Sequence, residues 1–331
     1  MILRKPHYFD QFRCIAGACP DSCCKEWDVQ VDDLSAACYR QLPGALGDDL
    51  RRLLKDEDGE TVMTIVDGRC PMWRQDGLCR IQAELGEQAL CKTCREFPRL
   101  THDYGDFVER GLELSCPEAA RIILSAQPSD LLETEVPGGE EAEYEEEAMA
   151  VLLRTRKQVL AILADTRRSV PESLALALLY GYQAQGELDG EESQPFAPDA
   201  ALDSIREFLT VSEAGELPAF FAELEILTPQ WASRLEQPNP GPWQEEYRNL
   251  ARYFVERYWL QAVSDYDLYC RVKFIIASCV LIRTLGGDLL QTAQVYSKEI
   301  ENNLDNVEAI LDGAYRHPAF TDSKLLGILL A

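Results

Sequence analysis

The chain has 331 residues, of which 46% are hydrophobic and 27% charged, a globular composition that excludes a disordered or fibrous protein. Its 57 acidic against 32 basic residues give a formal net charge of -25. That balance excludes nucleic-acid and anionic-membrane partners, because phosphate recognition needs clustered Lys and Arg, and it suits a partner that presents cationic groups.

In chain order, Met1 to Tyr8 lacks the apolar run and small-residue cleavage site of a secretory leader. Asp32 or Asp33 is predicted to cap a helix toward Gln41. Pro43-Gly44 interrupts it before a second helical piece, Ala45 to Asp56. The β-branched run Thr61 to Val66 reads as a strand ending at Asp67-Gly68. Arg80 to Leu90 reads as helix, Phe107 to Ser115 as extended chain, and Pro117 opens a helix through Ala126. Residues 127–147 hold Pro137-Gly138-Gly139 and an acidic run, and read as a linker. Beyond Ala148, apolar residues recur three and four apart in Met149–Leu163, Leu174–Tyr182, Ile205–Val211, Tyr247–Val263, Lys273–Leu285 and Glu299–Leu311. The expected fold is mainly α: a cysteine-rich metal-binding module with short strands over residues 1–126, the acidic linker 127–147, and an all-α helical domain over 148–331.

The longest strongly apolar stretch, Phe274 to Ile282, is too short to span a bilayer, so no membrane role and a cytoplasmic location are expected. In that reducing setting, clustered cysteines hold metal or do redox chemistry more often than they form disulfides. Ten of the twelve cysteines lie between Cys14 and Cys116. Cys270 and Cys279 fall in an apolar helical pattern and read as packing residues. One cluster is Cys14-x4-Cys19-x3-Cys23-Cys24; the other is Cys70-x8-Cys79-x11-Cys91-x2-Cys94; Cys116 follows alone. Short spacings let successive thiolates converge on one ion, so these nine are the candidate metal ligands. Zinc would take four thiolates in a closed structural site, and a [4Fe–4S] cluster three or four; softness does not choose between them. With only His7, His102 and His317, a histidine-based centre is not expected. No Gly-x-Gly-x-x-Gly follows a strand, and the Cys-x3-Cys-x2-Cys of radical S-adenosylmethionine chemistry is missing, since Cys19-x3-Cys23 would need a cysteine at Glu26.

The cysteine-rich part resembles the flagellin lysine-N-methylase (FliB-type) family, within the group sharing the YkgJ-type cysteine cluster. The resemblance is carried by Tyr8-Phe9-Asp10-Gln11-Phe12-Arg13-Cys14, Cys19-Pro20-Asp21-Ser22-Cys23-Cys24-Lys25-Glu26-Trp27-Asp28, Cys70-Pro71, Gly77-Leu78-Cys79-Arg80, Leu90-Cys91-Lys92-Thr93-Cys94-Arg95-Glu96-Phe97-Pro98-Arg99 and Ser115-Cys116-Pro117-Glu118. Met72-Trp73 departs from it, standing where the family carries Phe-Leu. The resemblance implies S-adenosylmethionine-dependent methylation of lysine ε-amines on a protein with exposed lysines, flagellin, and a thiolate-bound [4Fe–4S] cluster. Within its motifs, Trp27 and Asp28, Arg95 and Arg99 are expected to support the metal site, Arg through hydrogen bonds to sulfur or carboxylate and Trp by excluding water. Two other readings use the same thiols: a zinc-stapled binding module without catalysis, and an iron–sulfur redox protein. The catalytic base, the methyl-donor ligands and the oligomeric state are not legible.

Overall fold

The first strand is built by joining distant pieces of chain. In the computed structural model, which describes residues 1–25, 29–57 and 59–330, β1 (Ile2–Lys5) takes its partners from far along the sequence. A three-stranded sheet holds β2 (Val29–Gln30), β3 (Leu54–Glu57) and β4 (Glu60–Met63) in the order β2-β4-β3. A four-stranded sheet adds β5 (Arg99–Asp103), β6 (Phe107–Leu112) and β7 (Leu132–Glu135) to β1, in the order β5-β6-β1-β7. β1 runs parallel to β6, with Ile2 opposite Phe107, and antiparallel to β7, with Lys5 opposite Leu132. The stretch read as an acidic linker thus supplies an edge strand.

Short helices decorate the first part: α1 (Asp33–Gln41), α2 (Gly44–Leu53), α3 (Arg80–Leu85), α4 (Lys92–Glu96) and α5 (Pro117–Leu124). Asp32 caps α1 by accepting from the Ser35 amide, as its position predicts. α2 stops at Leu53 rather than Asp56, because the next residues pair with β4 and the Asp56 carboxylate accepts from Thr61 and Arg40. α3 ends at Gly86, whose φ of 87° is left-handed, so the expected helix to Leu90 breaks there.

The remainder is helical: α6 (Glu146–Ala164), α7 (Val170–Leu188), α8 (Pro198–Arg206), α9 (Glu216–Phe221), α10 (Pro229–Glu236), α11 (Glu246–Tyr258), α12 (Leu268–Leu285), α13 (Leu289–Tyr296), α14 (Leu304–Arg316) and α15 (Asp322–Leu329). α12 is apolar all round and buried on nearly every side, so it forms the axis on which α7, α11 and α14 pack. Cys270 and Cys279 are buried in it, and Tyr180, Tyr247, Tyr253, Tyr258 and Trp259 are core residues around it. Tyr182 and Tyr266 instead face solvent. Two expected helices differ. Ile205–Val211 keeps only its first residues in α8; Phe208 and Val211 are exposed, so their periodicity finds no partner face. Glu299–Leu311 is split by Asn303, which caps α14 by accepting from Asn306. The residues before it, Ser297–Glu301, form one turn of π-helix. Among the described residues, no helix is long and apolar enough to cross a membrane.

Two hydrophobic cores result. The smaller packs Val29, Val31, Tyr39, Leu46, Leu50, Met63, Met72 and Ile81. The larger joins Tyr8, Phe9, Phe12, Phe107, Leu112 and α5 to the helices, so the four-stranded sheet and α5 share a core with the helical part.

Candidate thiolate site

Among the described residues, none of the twelve cysteines is joined in a disulfide. Backbone ties bring five of the candidate ligands to the smaller core. The Cys70 amide donates to the Cys24 carbonyl at 2.7 Å, joining the two cysteine clusters directly. Trp73 and Cys79 form a β-bridge, which folds the 70–79 loop back on itself and sets Cys79 at the head of α3. Cys91 heads α4 and Cys94 lies in its first turn, so the Cys-x2-Cys spacing puts both on one side. Asp32 fixes that turn, because its second carboxylate oxygen accepts from the Lys92 amide at 2.7 Å. Cys70 and Cys91 are buried there, and Cys24, Cys79 and Cys94 are packed against them.

Their acidities report the crowding. A hydrogen bond from Cys94 lowers the Cys91 thiol to about 7, while that bond and burial push Cys94 far up. Cys23 and Cys24 divide a proton the same way: the bond from Cys24 lowers Cys23 to about 7, and Cys24 is driven up. Burial pushes Cys70 up to about 11 and raises Cys79. Desolvated neighbouring thiols resist simultaneous ionisation, which is the electrostatic state a bound cation would relieve.

Cys14, Cys19 and Cys116 gather separately. Cys116 heads α5, where burial raises it to about 12, with the charges of Cys19 and Cys14 adding. Cys23 lies between the two groups, felt by Cys19 on one side and bonded to Cys24 on the other. Cys38 stands apart, exposed on α1. Among the described residues, no three His, Cys, Asp or Glu side chains stand in metal-holding geometry. The thiols are neighbours without closing on one point. Of the expected supporting residues, Arg95 donates to the Leu90 carbonyl and Arg99 lies over the Phe12 ring at 5.2 Å. Trp27 and Asp28 lie outside the described residues.

A polar bridge then joins the cysteine loop to the helices. Asp21, between Cys19 and Cys23, accepts from Lys25 and Lys298 at 2.7 Å and from the Gln294 amide at 2.8 Å. Burial opposes its ionisation, yet the two lysines hold its carboxyl down to about 2. Gln294 also donates to the carbonyl of Ser115, the residue before Cys116. Lys298 belongs to the π-helical turn, and so does Glu301, which accepts from Tyr253, Tyr258 and Arg257 in the interior. Such turns recur at functional sites because they re-aim side chains on a helix. Sequence reading missed Gln294, Lys298 and Glu301. Their stretch repeats apolar residues at helical spacing, and nothing local marks the extra residue of the π turn.

A mainly helical protein, with a cysteine-rich thiol site laid against two small sheets, is the class that fold and site define. No family model matches the chain, and no solved structure matches it. Flagellar biosynthetic protein FliU of Salmonella muenchen is 36% identical over 128 residues, covering 37% of this chain and 76% of that protein. The lysine-N-methylases of Salmonella typhimurium and Salmonella choleraesuis are each 35% identical over 128 residues, 37% of this chain and 32% of theirs. The chain belongs to the flagellin lysine methylase family that these relatives represent. It spans about a third of the length of the two lysine-N-methylases it matches.

Proposed function

We propose that the protein is a lysine methyltransferase that moves the methyl group of S-adenosylmethionine to a lysine ε-amine of a protein substrate, flagellin. The observation that carries this reading is the match to relatives named lysine-N-methylase and to a flagellar biosynthetic protein. The net charge of -25 supports it, since an acidic surface draws a lysine-bearing substrate. The lysine must lose its proton, from an ordinary pKa of about 10.4, before its nitrogen attacks. Chemically, the crowded free thiols suit a [4Fe–4S] cluster, with Cys70, Cys79, Cys91 and Cys94 as holders and Cys24 within reach. Cys14, Cys19, Cys23 and Cys116 form the other candidate set. When bound, a cluster would tie these loops together and supply one-electron chemistry. The free thiols also fit a reducing, cytoplasmic setting.

Anaerobic purification followed by metal analysis tests the cofactor. A brown, iron-loaded protein with broad visible absorption is expected, whereas a colourless, zinc-loaded one would replace the cluster by a structural zinc site. Incubation with labelled S-adenosylmethionine and flagellin tests the activity. Methyl-lysine is expected, and no transfer by the metal-replete protein would overturn the reading.

A further inference from the structure

Three tyrosines from distant parts of the chain stand bare on one face. Tyr182 of α7 is 68% exposed, Tyr315 of α14 is 69% exposed, and Tyr266, in the turn before α12, is 40% exposed. Tyr269, at the start of α12, joins them. Its ring meets Tyr182 edge-on with centroids 5.5 Å apart, and Lys273, one turn along, donates to the carbonyl of Ala314, the residue before Tyr315.

These rings are exposed and yet held. Tyr266 takes a φ of +60°, a region that side chains other than Asn and Asp rarely enter. Gln185 of α7 clamps that turn: its amide nitrogen donates to the Tyr266 carbonyl at 2.9 Å, and its oxygen accepts from the Leu268 and Tyr269 amides at 2.8 and 2.9 Å. Tyr315 donates its hydroxyl to Asp267, and Tyr269 donates to Asp322. Strained backbone persists where its surroundings enforce it, and rings fixed in advance lose little freedom on binding. Tyrosine is also enriched at protein interfaces, because it offers a large contact area for two rotatable bonds.

The face is acidic as well as aromatic. Asp267 caps α12, Asp189 accepts from Gln185, and Asp312 lies three residues before Tyr315 and so on its side of α14. Asp265 and Asp322 nearby are paired with Arg271 and Lys273, but among the described residues no ion pair uses Asp189, Asp267 or Asp312. The exposed Arg316 offsets one of these three charges. Lys273 shows what such a surface holds: it lies over the Tyr269 ring at 4.9 Å and 3.2 Å from Asp322, between an aromatic face and a carboxylate. The three bare tyrosines and three unpaired aspartates repeat those two parts without the cation. A guanidinium fits best, since its plane stacks on a ring while its fork of donors reaches carboxylates. A second copy of the chain, itself carrying a net charge of -25, is repelled.

We propose that this tyrosine face is a docking surface for an arginine-bearing segment of a partner protein. Docking there requires neither methyl transfer nor a bound metal.

The probe is a fluorescent peptide of alternating arginine and glycine, with lysine and citrulline counterparts. Binding to the full chain is followed by anisotropy in about 0.15 M salt, where long-range charge is screened. The variants are Tyr182→Ser with Tyr315→Ser, and Tyr182→Ser alone, which disturbs no hydrogen bond among the described residues and serves if the double variant does not fold. Glu57→Gln with Glu60→Gln removes two charges from the β3–β4 hairpin instead. Circular dichroism checks folding, and sedimentation without peptide checks the oligomeric state. Binding of the arginine peptide is expected to weaken about tenfold in the double tyrosine variant and severalfold in the single one, and to be unchanged in the hairpin variant. The lysine peptide should bind severalfold less tightly than the arginine peptide, and the citrulline peptide least. No binding to the wild type, wild-type affinity in the folded tyrosine variants, an equal loss in the hairpin variant, or equal affinity for the lysine or citrulline peptide would each overturn the proposal. A sedimentation change in the tyrosine variants would assign the face to a second copy and overturn it as well.

Discussion

Asp21 is the point at which the cysteine loop is tied to the helices, and its removal should cost more than the removal of any one partner. Lys298→Met deletes one charge-assisted bond to the carboxylate, together with a long 3.4 Å contact to the Ser22 carbonyl, while Lys25 and Gln294 still donate to the carboxylate. Such a bond is worth about 1.5 kcal/mol at the low end of its range, which applies because the pair keeps some solvent contact. Asp21→Leu takes the acceptor from three donors at once, two of them cationic. About 3 kcal/mol is expected, the low end for breaking a buried pair. With an unfolding entropy of about 2.1 cal/mol/K per residue over 331 residues, 1 kcal/mol moves the melting temperature by about 1.4 °C. The two variants should therefore melt about 2 °C and about 4 °C below the wild type. Calorimetry gives the melting temperatures, and timed alkylation read by mass spectrometry shows whether Cys14, Cys19 and Cys23 react faster. If Lys298→Met proves as costly as Asp21→Leu, the carboxylate is not the hub and the reasoning fails.

Three further outcomes follow from the interior. Arg156 donates to both oxygens of Glu109 at 2.6 and 2.7 Å with both side chains buried, so Arg156→Met should cost about 3–5 kcal/mol in urea unfolding. Adding Glu109→Leu should recover most of that, because the uncompensated charge is then gone. Burial, aided by Arg257 and Arg156, lowers the His102 pKa below 6.5, while Glu109 opposes the shift. A lowered histidine pKa means that the unfolded chain binds the proton first, so its contribution to stability is lost as pH falls below about 6.5. His102→Gln should flatten the melting-temperature profile between pH 5 and 7 relative to wild type; an identical slope in both proteins would exclude His102 as its source. Gly181 lets α7 approach α12, since a Cβ there would meet a Val272 methyl at 2.5 Å. Gly181→Ala should lose about 1–3 kcal/mol by overpacking, and Val272→Ala in the same chain should restore part of it, both read from denaturant midpoints.

The sequence by itself determined those features whose physics is local. The apolar spacing of α6, α7 and α11 was legible because a helix buries a face that repeats every three to four residues, and α12 was legible as a nearly continuous apolar run. Asp32 as a cap and Pro117 as a helix opener needed only their immediate neighbours. The nine candidate thiols stood out by type and spacing, and the family resemblance rested on the same residues. Tertiary structure decided what depends on contacts between distant residues. β1 finds β6 more than a hundred residues later, and part of an acidic stretch becomes strand only because β1 offers it an edge. The division of the thiols into a set around Cys70 and a set around Cys116 follows from the 24–70 backbone tie and the placement of α5, which no spacing encodes. Asp21 is one polar residue among many until Gln294 and Lys298 arrive from the far end of the chain to hold it.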